Sequence, residues 1–154
     1  MLKKGVLLFC LLALSWSPLL VYAKTKNSVK VCYNYSCKRT AKVKLSGAEW
    51  KKIRRLFARK PKNSVKERQR IRQAVALMEN LVGRRTGTSA DKGRNRATGE
   101  PGQLDCIAES TNTTTYLRLF EKKRWLKWHR VEDRAKRNPH IFDYHWTAVI
   151  KEKK

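Results

Sequence analysis

The sequence predicts an α+β fold: an N-terminal β-hairpin, two amphipathic helices, and then a cysteine-bearing helix packed on a small antiparallel sheet. Three observations predict it. Residues 29–45 alternate between apolar and polar side chains, as the two arms of a hairpin do. Residues 46–83 carry two apolar stripes at helical spacing, and after Cys106 a third helical stripe is followed by two alternating segments.

The start of the chain has the pattern of an export signal. Lys3 and Lys4 precede an apolar run that ends in Val-Tyr-Ala at 21–23. This order predicts a signal peptide over residues 1–23, cleaved before Lys24, and therefore a secreted or periplasmic protein. The alternative is an uncleaved membrane anchor, but Pro18 interrupts the run where an anchor needs its full length. No later segment is long and apolar enough to span a bilayer.

The mature chain is long enough for a single domain with one modest core. We divide this basic domain, residues 24–154, by the change in its patterning. The parts are a hairpin at 24–45, a helix pair at 46–83, a loop at 84–104 and a cysteine- and histidine-bearing unit of helix and strands at 105–154.

Three cysteines remain after signal cleavage, an odd number for an oxidising compartment. Cys32 and Cys37 are close enough to close a small disulfide loop at the hairpin tip, which would leave Cys106 free. A direct cross-strand pair would put the apolar residues of the two arms on opposite faces. The tip therefore needs a bulge, or the two cysteines are not a cross-strand pair. Cys106 could instead pair with either cysteine, or be a small buried apolar residue.

Both helices of the pair have predicted start and stop signals. The segment 46–49 (Ser-Gly-Ala-Glu) is a capping-box sequence, and Pro61 is expected to end the helix that it opens. The segment 64–67 (Ser-Val-Lys-Glu) is a second capping-box sequence. It opens an apolar stripe that extends from Ile71 to Val82, with Gly83 as the expected end.

The last third of the chain continues with a helix from Cys106 and strands over 127–131 and 145–150. His129 and His140 are expected at the surface. The histidines and cysteines show no CxxC or HxxxH spacing, so we predict neither a metal site nor a cofactor.

The charge is strongly one-sided: 37 Lys and Arg stand against 12 Asp and Glu, a net charge of +25. Such an excess attracts polyanions, although a solvated basic surface on a protein with another function gives the same composition. Trp125 and Trp128, beside further basic residues, could stack on bases or pack in the core. The first candidates for anion contact lie on the outer faces of the two helices: Lys51, Lys52, Arg54, Arg55, Arg68, Arg70 and Arg72.

Cys106 and His145 are the candidates for catalysis. A cysteine nucleophile needs a lowered pKa, which the start of a helix and a nearby imidazole both provide. The order of elements puts Cys106 at a helix start and His145 at a strand start. It predicts that the two side chains meet, with Cys106 as the nucleophile and His145 as its base.

The same segment resembles the transglutaminase-like branch of the papain-like cysteine proteinases. The resemblance rests on G-x-x-D-C at 102–106, the following helix and strand, and His145. It implies a hydrolase or transferase acting on peptide or amide bonds. That family orients its histidine with an Asp on a later strand, for which only residues 151–154 remain here. The site would therefore be degenerate.

A second resemblance covers more of the chain. CYNYSC at 32–37, DCIAESTNTTTYLRL at 105–119 and HWTAVI at 145–150 resemble a family of uncharacterised exported proteobacterial proteins. It implies a location in the bacterial envelope and no particular activity. The sequence thus leaves two hypotheses: a transglutaminase-like cysteine enzyme with peptide substrates, or a non-enzymatic cationic protein that binds anionic envelope polymers or nucleic acid.

Overall fold

The computed structural model describes residues 28–92, 100–140 and 143–154, so the predicted signal peptide lies outside the described residues. The α+β prediction is confirmed: a hairpin is followed by helices, and the cysteine-bearing helix packs against a small antiparallel sheet. In chain order the elements are β1 (Ser28–Cys32), β2 (Thr40–Lys44), α1 (Gly47–Leu56), α2 (Ser64–Thr86), α3 (Cys106–Lys122), β3 (His129–His140) and β4 (Asp143–Glu152).

The first hairpin buries the apolar residues of both arms on one face. Val29 lies opposite Val43 in the β1–β2 register, and both are buried. A disulfide joins Cys32 at the end of β1 to Cys37 in the 3-10 turn of the connecting loop, with the Cα atoms 4.9 Å apart. Cys32 lies opposite Thr40, so the disulfide is not a cross-strand pair and the alternation of both arms is kept.

The start of α1 follows the predicted capping box. The Ser46 side chain accepts from the Glu49 N–H, and the Glu49 carboxylate accepts from the Ser46 N–H. Trp50 and Ile53 are buried beneath the helix. The helix ends at Leu56, before the proline that was expected to stop it.

The second capping box was a wrong prediction, and so was the end at Gly83. The N-cap of α2 is Asn63, whose side chain accepts from the Lys66 N–H. The helix continues through Gly83 to Thr86, and its C-cap is Gly87, which has a φ of 78°. Gly83 instead allows the backbone of Ser89 to pack closely against the helix, because a Cβ at residue 83 would lie 3.0 Å from the Ser89 nitrogen.

Helix α3 begins after Asp105, whose carboxylate accepts from the Ala108 N–H. It packs against β3 and β4, which are longer than the predicted strands and form an antiparallel pair in which Val131 lies opposite Ile150. The register shifts by one residue between Glu132 and Ala135.

Both candidate base-stacking tryptophans make contacts within the fold. Trp125 stacks on Phe57 and Phe120, with ring centroids 5.5 and 5.9 Å away, and packs against the main core. The Trp128 indole N–H donates to the Pro61 carbonyl at 3.0 Å. Within the described residues, no helix is long and apolar enough to cross a membrane.

Candidate functional site

Cys106 is the first residue of α3, and its thiol is free and partly exposed. The carboxylate of the preceding residue, Asp105, accepts hydrogen bonds from the Ser36 N–H at 2.8 Å and the Ser36 hydroxyl at 3.2 Å. The loop that carries the disulfide therefore lies against the start of α3.

His145 is an exposed residue of β4, opposite Arg137 on β3. Ile150 lies on the side of the β3–β4 hairpin that packs on the core, and Trp146, four residues earlier in β4, lies on the same side. Arg134 links that side to α3, because its guanidinium lies 5.0 Å from the Trp146 ring and donates to the first turn of the helix. His145 is next to Trp146 in β4, so it lies on the other side of the strand. It forms no hydrogen bond with Cys106 in the described part of the chain. The catalytic pair stays a prediction.

His129 is buried, with 1% of its surface exposed, so its predicted surface position was wrong. Its Nδ1 lies 3.0 Å from Oε1 of Glu67, and its Nε2 lies 3.4 Å from Nη1 of Arg68. A guanidinium can only donate, so Nε2 accepts and Nδ1 carries the hydrogen that is donated to Glu67. One signal for burial was in the sequence, because His129 has the same strand parity as the buried Val131.

Glu67 is fully buried and accepts hydrogen bonds from one short stretch of backbone. The N–H groups of Lys127, Trp128 and His129 donate to its two oxygens at 2.7, 2.9 and 2.9 Å. This carboxylate holds the beginning of β3 onto α2. Because all of these donors are groups of the protein itself, we assign the Glu67 carboxylate a structural role.

The seven predicted anion-contact residues do not form one surface. Arg68 pairs with Glu152 of β4 at 3.5 Å, whereas Arg70 donates to the Arg59 carbonyl in the segment between α1 and α2. These two arginines therefore reach to opposite sides of α2, and Arg72 is exposed. The remaining four are all exposed on α1, and none of them forms a salt bridge within residues 28–92, 100–140 and 143–154. We call these four the α1 basic face: Lys51, Lys52, Arg54 and Arg55.

A cleft of about 540 Å³ lies between α2 and α3, and acidic residues gather around it. Its lining includes three acidic residues: Glu79 of α2, Asp91 of the following loop and Glu109 of α3. Thr113 and Tyr116 of α3 also line it. No motif or spacing in the sequence distinguishes these residues. We call this site the acidic cleft.

The carboxyl groups of the acidic cleft perturb one another. Burial, and then the charges of Asp91 and Glu79, raise the pKa of Glu109 to about 7. Partial removal from water and the charge of Asp91 also raise the pKa of Glu79. Burial and the charge of Glu79 raise the pKa of Tyr116. In the part of the chain that the structure describes, no set of three or more His, Cys, Asp or Glu side chains is arranged to hold a metal ion.

The motifs around Cys32, Cys106 and His145 resemble the two families named above, and these resemblances stay predictions. Comparison of the chain with protein-family models, with curated proteins and with solved structures finds no match.

Proposed function

We propose that this protein binds linear polyanions and that the α1 basic face is its principal contact surface. One observation carries the proposal: Lys51, Lys52, Arg54 and Arg55 are all exposed and none has a carboxylate partner in the described residues. Trp50 and Ile53 are buried on the other side of α1. This packing holds the four cations at the surface of an ordered helix.

The spacing of these cations is unfavourable for the helix by itself. Lys51 and Arg55 are four residues apart, and Lys52 and Arg55 are three apart, so like charges are neighbours on the helix surface. A polyanion would relieve this repulsion and release its own counterions. Elsewhere in the fold cations do have carboxylate partners, as Arg118 of α3 does with Asp133 of β3 at 2.6 Å. The repulsion on α1 is left for an external partner to relieve.

The proposal predicts a steep salt dependence that originates on α1. Replacing all four residues by Gln should make the slope of log K against log salt for a 20-bp DNA duplex shallower by about 3.6, because each lost phosphate contact removes about 0.9. Fluorescence anisotropy at four salt concentrations measures this slope. The same titration with heparin and with lipopolysaccharide ranks the classes of polyanion.

The matched control removes the same charge from another surface. Lys30, Lys38, Lys42 and Lys44 are all exposed on the first hairpin, and their replacement by Gln lowers the net charge equally. We expect this variant to keep most of the parent slope. Equal losses in the two variants would show that total charge, and not the α1 basic face, controls binding.

A second candidate function is a Cys106-dependent hydrolase or transferase, favoured by the free, partly exposed thiol at the first position of α3. It predicts that iodoacetamide alkylates Cys106 about tenfold faster in the folded chain than in urea, with a pH midpoint below about 8.5. His145→Ala should raise that midpoint if the imidazole assists. Alkylation no faster than in urea would eliminate this candidate.

A further inference from the structure

We propose that the β3–β4 hairpin binds single-stranded nucleic acid by stacking a base on the exposed ring of Tyr144. Nucleic acid is then the polyanion of the function proposed above, and this assignment rests on that function. Four side chains, two cationic and two aromatic, form the contact surface. We call it the hairpin platform: Arg134 and Lys136 of β3, and Tyr144 and Trp146 of β4.

The two strands place all four side chains on one side of the hairpin. Lys136 lies opposite Trp146 in the register, and opposite residues of an antiparallel pair share a side. Tyr144 lies on that side too, because it is two residues before Trp146. Nζ of Lys136 lies 3.7 Å from the Tyr144 ring centroid, and the Arg134 guanidinium lies 5.0 Å from the Trp146 ring. Each ring therefore has a cation beside it.

Helix α3 covers this side of the hairpin only in part. Ile150 packs against the core, and Trp146 is half-buried. Arg134, beside Trp146, donates to the first turn of α3 at 3.2 Å. Two residues further along each strand, Lys136 is exposed and Tyr144 has 56% of its surface exposed. The hairpin platform thus begins where α3 begins and continues beyond the helix into solvent.

The combination of rings and cations selects the class of ligand. An aromatic ring offers a stacking surface to a nucleobase, and an ammonium group beside it can contact a phosphate of the same strand. More than half of Tyr144 is exposed, so Lys136 leaves part of its ring free for a base. The bases of a duplex are paired and stacked on one another, so an unpaired strand is needed to bring one onto the ring. Heparin has the anionic groups but no base.

Fluorescence anisotropy with two oligomers of equal charge tests the proposal. One is a 12-nucleotide oligothymidylate, and the other has the same backbone with an abasic site at every position. We expect the parent protein to bind oligothymidylate about tenfold more tightly, because the abasic oligomer has no base to stack. Tyr144→Ala should bind both oligomers with the weaker affinity, and Tyr144→Phe should keep the tenfold difference. Equal binding of both oligomers by the parent would overturn the proposal.

The control variant truncates another exposed apolar side chain. Val65 of α2 has 49% of its surface exposed, and Val65→Ala should leave both affinities unchanged. Tyr144→Ala should not weaken heparin binding, and an equal loss for heparin would show that the ring does not act on a base. Lys136→Gln should make the salt slope for oligothymidylate shallower by about 0.7, whereas Tyr144→Ala should leave that slope unchanged.

The failure of this site and the failure of the α1 basic face give different results. If no base stacks on Tyr144, the two oligomers bind equally, yet replacement of the α1 basic face still makes the salt slope shallower. If the α1 basic face is not the principal contact surface, its replacement leaves the slope unchanged, and the tenfold preference for oligothymidylate persists. No binding of either oligomer or of heparin by the parent would overturn both proposals.

Discussion

Glu67→Ala is expected to lower the free energy of unfolding by about 3–5 kcal/mol, the largest effect of any single substitution that we predict. The substitution leaves three backbone N–H groups, of Lys127, Trp128 and His129, without their acceptor in a buried position. It also removes the partner of the His129 ring. Equilibrium unfolding in urea, followed by tryptophan fluorescence, measures the loss.

Two further variants separate the hydrogen bonds from the loss of side-chain volume. Glu67→Gln keeps one acceptor oxygen and nearly the same shape, so its loss should be smaller than that of Glu67→Ala but still above about 1 kcal/mol. Glu132→Ala removes a carboxylate that is paired with Arg130 near the surface and should leave the free energy of unfolding nearly unchanged. A similarly small effect of Glu67→Ala would show that water replaces the carboxylate as acceptor.

Asn112→Ala should have the second largest effect, a loss of about 2–4 kcal/mol. The Asn112 amide accepts from the Cys32 N–H at 2.7 Å and donates to the Cys32 carbonyl at 2.8 Å, and both residues are buried. The substitution leaves a donor and an acceptor of β1 unsatisfied. Differential scanning calorimetry at pH 5 measures the change.

The control for this prediction lies on the same helix. The Thr115 hydroxyl donates to the Thr111 carbonyl of the preceding turn, a contact within α3, and Ala is the better helix former. Thr115→Ala should therefore leave the unfolding temperature nearly unchanged. If Asn112→Ala is equally mild, the link from α3 to β1 does not contribute to stability as proposed.

The order and type of the elements could be predicted because apolar periodicity is a local property of the sequence. The errors arose where distant residues decide. The pattern Ser64-x-x-Glu67 fits a capping box. Glu67 is buried instead, because it accepts hydrogen bonds from three backbone N–H groups some 60 residues later in the chain. Glycine is common just after a helix, so Gly83 was expected to end α2. It lies within the helix instead, where the backbone of Ser89 approaches too closely to leave room for a Cβ.

The candidate sites were harder to predict than the fold. The acidic cleft joins Glu79, Asp91 and Glu109, which come from three segments, and the net charge of +25 conceals a local cluster of acids. For Cys106 and His145, the order of elements indicates a helix start near a strand. Which side of the strand faces the helix depends on the registry of β3 with β4, and that registry includes a shift that the sequence does not display.

The amide of Asn112 has a consequence for self-association. Because it bonds to both the N–H and the carbonyl of Cys32, those two groups point away from β2, along the open edge of the first hairpin. An extended segment of another molecule would have to displace this side chain to pair there. A single residue of α3 thus occupies the last pairing position of β1 on the side away from β2.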